Sequence, residues 1–196
     1  MRHRTVAPTA LAALVLSGCL LPKPPDAPRV YAPSTSVAAG DPMPARPVVA
    51  RLAPVRSPIH LREAVTWRRS DVEYGFYEQR RWTEPPASYV ERAIVRELFA
   101  VERAPLAVDV TAPVVTAEVV AFEDVLEPAH QASVAVGITV VDGRCVRLRQ
   151  VFAATRPLGD EDGATLARGI GEALDDVVHR AGDAVRRALA ERGRCA

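Results

Sequence analysis

The last third of the chain carries its clearest periodicity. Leu166, Ile170, Leu174, Val177, Val178, Ala181, Val185 and Leu189 recur at three- and four-residue spacing, which is one apolar face of a long helix. Asp160 or Asp162 supplies an N-cap ahead of it and Gly193 a stop. Gly169 and Gly171 fall inside this helix and predict close packing against a neighbour. A second stripe, Val90, Ala93, Ile94, Leu98 and Val101, follows Pro85-Pro86. It predicts a shorter helix with proline in its first turn, a Ser88/Glu91 capping box and a stop near Ala104-Pro105.

Between the two stripes the period drops to two. Val134, Val136, Ile138 and Val140 alternate with smaller or polar residues, as in a half-buried strand. The β-rich runs at 114–126, 132–141 and 144–154 read as strands, and Asp142-Gly143 joins the last two as a tight hairpin. Upstream, 48–52 and 64–69 read as short strands. The segment Glu73-Tyr74-Gly75-Phe76-Tyr77-Glu78-Gln79 puts aromatics on both faces of a further strand, which predicts cover on both sides. These elements imply an α+β fold, an antiparallel-rich sheet with two amphipathic helices packed on it.

The first residues follow another logic. Arg2 and Arg4 precede a short apolar run that ends in Leu16-Ser17-Gly18-Cys19. Spanning a bilayer takes roughly 20 apolar residues, so the run is a secretory signal rather than a transmembrane helix. Small residues directly before a cysteine resemble a bacterial lipobox, which predicts a signal peptide over 1–18 and lipidation of Cys19. Two or three acyl chains, at about 0.8 kcal/mol per buried methylene, hold a protein on a membrane where one barely does. Residue 20 is Leu, where Asp is the usual inner-membrane retention signal. The resemblance therefore points to the outer membrane, with the chain facing the periplasm.

Residues 20–58 hold ten of the seventeen prolines. Such a composition cannot bury enough apolar surface to offset its ordering entropy. Residues 19–47 therefore read as a lipidated N-terminus and disordered Pro-rich linker, and 48–196 as one compact domain. Fully extended, the linker would lift the domain on the order of 80 Å from the bilayer.

Charge and chemistry narrow the function. Without Arg2 and Arg4 the chain carries 23 basic against 24 acidic residues, which offers no handle for nucleic acid. Cys145 and Cys195 remain after lipidation, a candidate disulfide in an oxidising compartment. No G-x-S-x-G elbow occurs, and His3, His60, His130 and His179 are scattered without zinc-ligand spacing. Adjacent acids such as Glu161-Asp162 and Asp175-Asp176 read as solvated or as favouring a helix dipole. Neither enzymatic activity, a metal nor a cofactor is expected.

The run Tyr74-Gly75-Phe76-Tyr77-Glu78, then Arg81-Trp82-Thr83-Glu84-Pro85-Pro86 and an amphipathic helix, resembles the ABC-type transport auxiliary lipoproteins, the PqiC-like family. The resemblance extends through Ala117-Glu118-Val119-Val120-Ala121-Phe122-Glu123, the hairpin and the final helix. It implies a non-catalytic lipoprotein working with an inner-membrane ABC permease and ATPase and an MCE-domain protein that moves lipids between membranes. A homo-oligomeric collar is one form it could take. In many members a Tyr-x-Leu strand follows the lipobox, whereas here Tyr31-Ala32-Pro33 falls in the proline-rich segment. The first family strand is then degenerate or displaced to 48–52. Tyr77 and Trp82 read first as sheet-covering residues, with Arg81 pairing to Glu84 or a carbonyl. Exposed Tyr, Arg and Trp also anchor interfaces, so Tyr77, Arg81 and Trp82 form the candidate partner-binding set. Two other readings stand beside it, a structural lipoprotein of another envelope complex and a periplasmic lipid-binding module.

Overall fold

The computed structural model describes residues 26–34, 48–99 and 111–191. Seven strands and two helices follow in the order β1 (Arg29–Tyr31), β2 (Arg51–Leu52), β3 (Ala64–Arg68), β4 (Tyr74–Trp82), α1 (Pro86–Leu98), β5 (Val114–Val125), β6 (Gln131–Asp142), β7 (Cys145–Pro157) and α2 (Gly163–Ala190). One sheet takes the order β1-β4-β3-β5-β6-β7, and β2 also pairs with β5.

The hairpin β6–β7 forms at Asp142-Gly143, where Gly143 takes the positive φ of 59° that such a turn demands. Along β6 the residues Val134, Val136, Ile138 and Val140 are buried. Both helices lie on that face of the sheet, and α2 packs chiefly on β6 and β7. Its buried side chains include Leu166, Ile170, Leu174, Val177, Val178, Ala181 and Val185. Burying each large aliphatic contributes roughly 1.5–3 kcal/mol, so this stripe is the largest block of core. At the other end of the core Phe122 is enclosed by Trp82, edge-on at 5.5 Å, and Tyr89, stacked at 6.2 Å.

The sheet is mixed, not antiparallel-rich. β3–β4, β5–β6 and β6–β7 are antiparallel, while β1–β4, β2–β5 and β3–β5 run parallel. β4 finishes at the end of the sheet where β5 begins, so after α1 the chain enters β5 running opposite to β4 and therefore parallel to β3. Local alternation does not encode that connection. β2 extends the same edge of β5, where Arg51 and Ala53 donate their amides to the carbonyls of Pro113 and Val115.

Order also reaches into the segment read as a linker. Val30-Tyr31 pairs with Arg81-Trp82 on the free edge of β4, and the amide of Thr83 donates to the Tyr31 carbonyl at 2.9 Å. Tyr31 therefore does form a strand just beyond the lipobox, and Ser34 then donates its amide to the carbonyl of Ala167 in α2 at 3.3 Å. A linker running free to residue 47 is thereby excluded. Residues 35–47 lie outside the described residues.

Three local expectations are also corrected. The Ser88/Glu91 capping box is not used. Pro85 occupies the N-cap with no side-chain bond, and the amide of Ser88 donates to its carbonyl at 2.9 Å. α1 ends at Leu98, ahead of Ala104-Pro105, because Phe99 turns extended; Val101 lies outside the described residues. On β4 one face stays open, with Tyr74 55% and Phe76 48% exposed. α2 does begin as its sequence predicts, Asp162 accepting bonds from the amides of Ala164 and Thr165.

Candidate functional site

The candidate partner residues sit at the C-terminal half of β4, and the structure draws them inward. Trp82 is 2% exposed and belongs to the core. Arg81 donates to the carbonyl of Tyr77 at 3.4 Å, while Glu84 pairs instead with Arg92 of α1. Tyr77 is half-buried and faces the helical side of the sheet.

Beneath Tyr77 lies a polar cluster that the sequence did not announce. Asp124, near the end of β5, is fully buried. Its Oδ2 accepts the Tyr77 hydroxyl at 2.8 Å, and its Oδ1 lies 2.8 Å from Nε2 of His130, in the loop before β6. Both carboxylate oxygens are thus satisfied from different elements, as a buried charge requires. Burial first, then the hydrogen bond to Asp124 and that carboxylate's charge, push the Tyr77 phenol well above its ordinary range. The guanidinium of Arg80 lies over the Tyr77 ring at 4.2 Å and donates to the carbonyl of Glu161 at 2.7 Å. The chain Arg80, Tyr77, Asp124, His130 therefore staples β4 to β5 and to the approach of α2.

Next to it, where β1 and β4 meet the start of α2, opens a cavity of about 430 Å³ lined by Asp26, Arg29, Tyr31, Arg80, Asp162 and Gly163. Tyr31 fills the space above Gly163, where a β-carbon would come within 2.4 Å of its ring. On the opposite face of the sheet Glu123 is also buried, held by Arg68 at 2.6 Å. The one local signal for these carboxylates is the pair Glu123-Asp124 inside an otherwise apolar strand.

The other candidates lie apart. Cys145 opens β7, at the far end of the hairpin from Tyr77. Cys19 and Cys195 lie outside the described residues. Among the described residues no group of three His, Cys, Asp or Glu side chains converges as metal ligands would, and no helix is long and apolar enough to cross a membrane.

Across residues 31–181 the chain matches the family model of the ABC-type transport auxiliary lipoprotein component. The chain belongs to that family. Its match begins at Tyr31 in β1 and ends at Ala181 in α2, so it takes in every strand-to-helix junction described above. Solved structures show the same fold. A Xanthomonas campestris protein of the DUF330 family aligns at 18% identity over 83% of this chain and all of its own, with a TM-score of 0.65. A hypothetical protein of Chlamydia trachomatis aligns at 16% identity over 74% of this chain and all of its own, with a TM-score of 0.50. No curated protein matches the chain. As a member of this family the protein is a transport auxiliary lipoprotein.

Proposed function

We propose that the protein is anchored in the outer membrane through acylated Cys19, faces the periplasm, and serves an MCE-type ABC lipid transport system as a non-catalytic docking subunit. The observation that carries this reading is the family match starting at Tyr31, only twelve positions after a cysteine in lipobox context. An acyl anchor there and a folded domain immediately after it make a fixed point on the periplasmic side of the outer membrane. An MCE-domain protein bridging from the inner-membrane permease and ATPase is the partner such a point would hold.

The polar cluster fits a structural part in this reading. Tyr77, Asp124 and His130 turn their polar atoms toward one another, and Trp82 is enclosed by Phe122 and its neighbours. They give the domain its shape, and the partner meets other surface. We also assign a bridge between Cys145 and Cys195. Arg147, two residues past Cys145, donates to the carbonyl of Glu191 at 3.2 Å, which brings the chain to within four residues of Cys195.

Affinity isolation of the tagged, lipidated protein from envelope membranes tests the function. Co-isolation of an MCE-domain protein with its permease and ATPase supports it. Recovery with a different envelope complex and none of these proteins contradicts it.

A further inference from the structure

We propose that the β3–β4 hairpin rests on the membrane that holds the lipid anchor, and that Ile59, Val72, Tyr74 and Phe76 enter its interfacial layer. The inference rests on the lipidation of Cys19 and adds to it a second, direct contact between domain and bilayer.

Chain direction and length lead to it. β1 runs parallel to β4 with Arg29 opposite Arg80. Traced backward from Arg29, the chain therefore heads toward the start of β4, where the hairpin turns. Asp26 and Ala27 line the cavity together with Gln79 and Arg80. From position 29 to position 19 the chain can reach at most about 35 Å. From Arg80 back to the start of β4 at Tyr74, six residues of strand span roughly 20 Å. The reach from position 29 is enough for the acylated cysteine to come to the level of the hairpin tip.

The surface at this end fits an interface with lipid. Of the eight large apolar side chains left exposed among the described residues, four gather here: Ile59 at 79%, Val72 at 90%, Tyr74 and Phe76. The His60 ring meets that of Tyr74 at 5.5 Å and so holds the 59–60 loop beside the hairpin. On the hairpin's other face Trp67 lies across Gly75, with the guanidinium of Arg69 over its ring at 5.7 Å. Rings with one polar edge, backed by arginine, favour the headgroup layer. Two arginines hold the four nearby acids: Arg69 pairs with Glu73 and Glu127, and Arg68 with Asp71 and Glu123. The acids outnumber these arginines, so burial of apolar surface drives the contact, and a zwitterionic bilayer suits it better than an anionic one.

The full lipidated protein in phosphatidylcholine vesicles with brominated acyl chains tests this through its two tryptophans. Trp67 emission should be quenched, and a Trp67→Phe variant, left with the enclosed Trp82, should show none. A Val72→Asp/Phe76→Asp variant should float with the vesicles like the wild type but lose the quenching. Flotation of the wild type without quenching overturns the hairpin contact and leaves the anchor standing. Failure to float overturns the anchor and the contact together. Protection of the hairpin from acrylamide that rises with protein concentration in detergent would give the patch to a second copy of the chain and overturn the proposal.

Discussion

The carbonyl oxygen of Ser34 lies so close over Gly171 that a β-carbon there would sit 1.8 Å from it. That contact presses the segment after β1 onto α2 and makes the N-terminal strand part of the domain. Gly171→Ala therefore forces backbone apart, at a cost of about 1–3 kcal/mol. This exceeds the ~1 kcal/mol that alanine gains over glycine within a helix. Gly182 offers a milder comparison: a β-carbon there would meet the Glu97 side chain, with Cγ 2.5 Å away and its carboxylate bonded by Arg186, and would have to displace a side chain rather than backbone. Thermal unfolding should show a lowered Tm for Gly171→Ala and a smaller fall for Gly182→Ala.

Alkali should destabilise the fold through Tyr77. Its phenol is raised above the unfolded value of 10.0, so the stability it contributes is complete below that pH. It is lost progressively as the pH climbs from there toward the folded value, because the unfolded chain gives up the proton more readily. Phenolate absorbance should show a tyrosine step that comes only as the protein unfolds, and Tyr77→Phe should diminish that step.

Acid should loosen α2 by the opposite sign. Burial works to raise Asp176, but hydrogen bonds and charge from Arg180 and Arg156 outweigh it and hold the carboxyl below its ordinary 3.8. Asp183 is lowered as well, first by its bond from Arg186. Their contribution is present above about pH 4 and lost as the pH falls through the folded values. Unfolding midpoints in denaturant should fall below pH 4, and less steeply for Asp176→Asn.

The two ends of β4 should respond differently to truncation. Trp82→Ala empties a site between Phe122 and the helices and should cost about 3–5 kcal/mol. Phe76→Ala removes a ring that is half in solvent, and its effect on stability in detergent should stay within about 0.5 kcal/mol. Urea midpoints compare the two directly.

The Cys145–Cys195 bridge should add roughly 4 kcal/mol by closing a loop of about fifty residues. Non-reducing peptide mapping should recover the linked pair. Reduction, or Cys145→Ser, should lower the unfolding free energy by a similar amount, and the Tm with it.

These residues also show what local pattern can reveal. The stripe of α2, its Asp162 cap and the Asp142-Gly143 hairpin are each set within a few residues, and all are legible. β1 was hidden because Val30-Tyr31 is a very short β-forming pair between Pro28 and Pro33. Its strand exists only because the edge of β4 and the glycines of α2 receive it. The parallel pairing of β3 with β5 depends on where the connection through α1 sets down the start of β5, which no alternation records. Tyr77, Asp124 and His130 come from three separate elements, so their meeting is a product of sheet order. The exposure of Tyr74 and Phe76 likewise follows from which face the helices cover.

Lipid on Cys19 is the condition on which the membrane placement rests. Cells expressing the protein should be grown with labelled palmitate and their membranes separated by density. Label should travel with the protein in the outer-membrane fraction and vanish in Cys19→Ala. Unlabelled protein, or protein released in soluble form with Cys19 intact, would contradict the anchor.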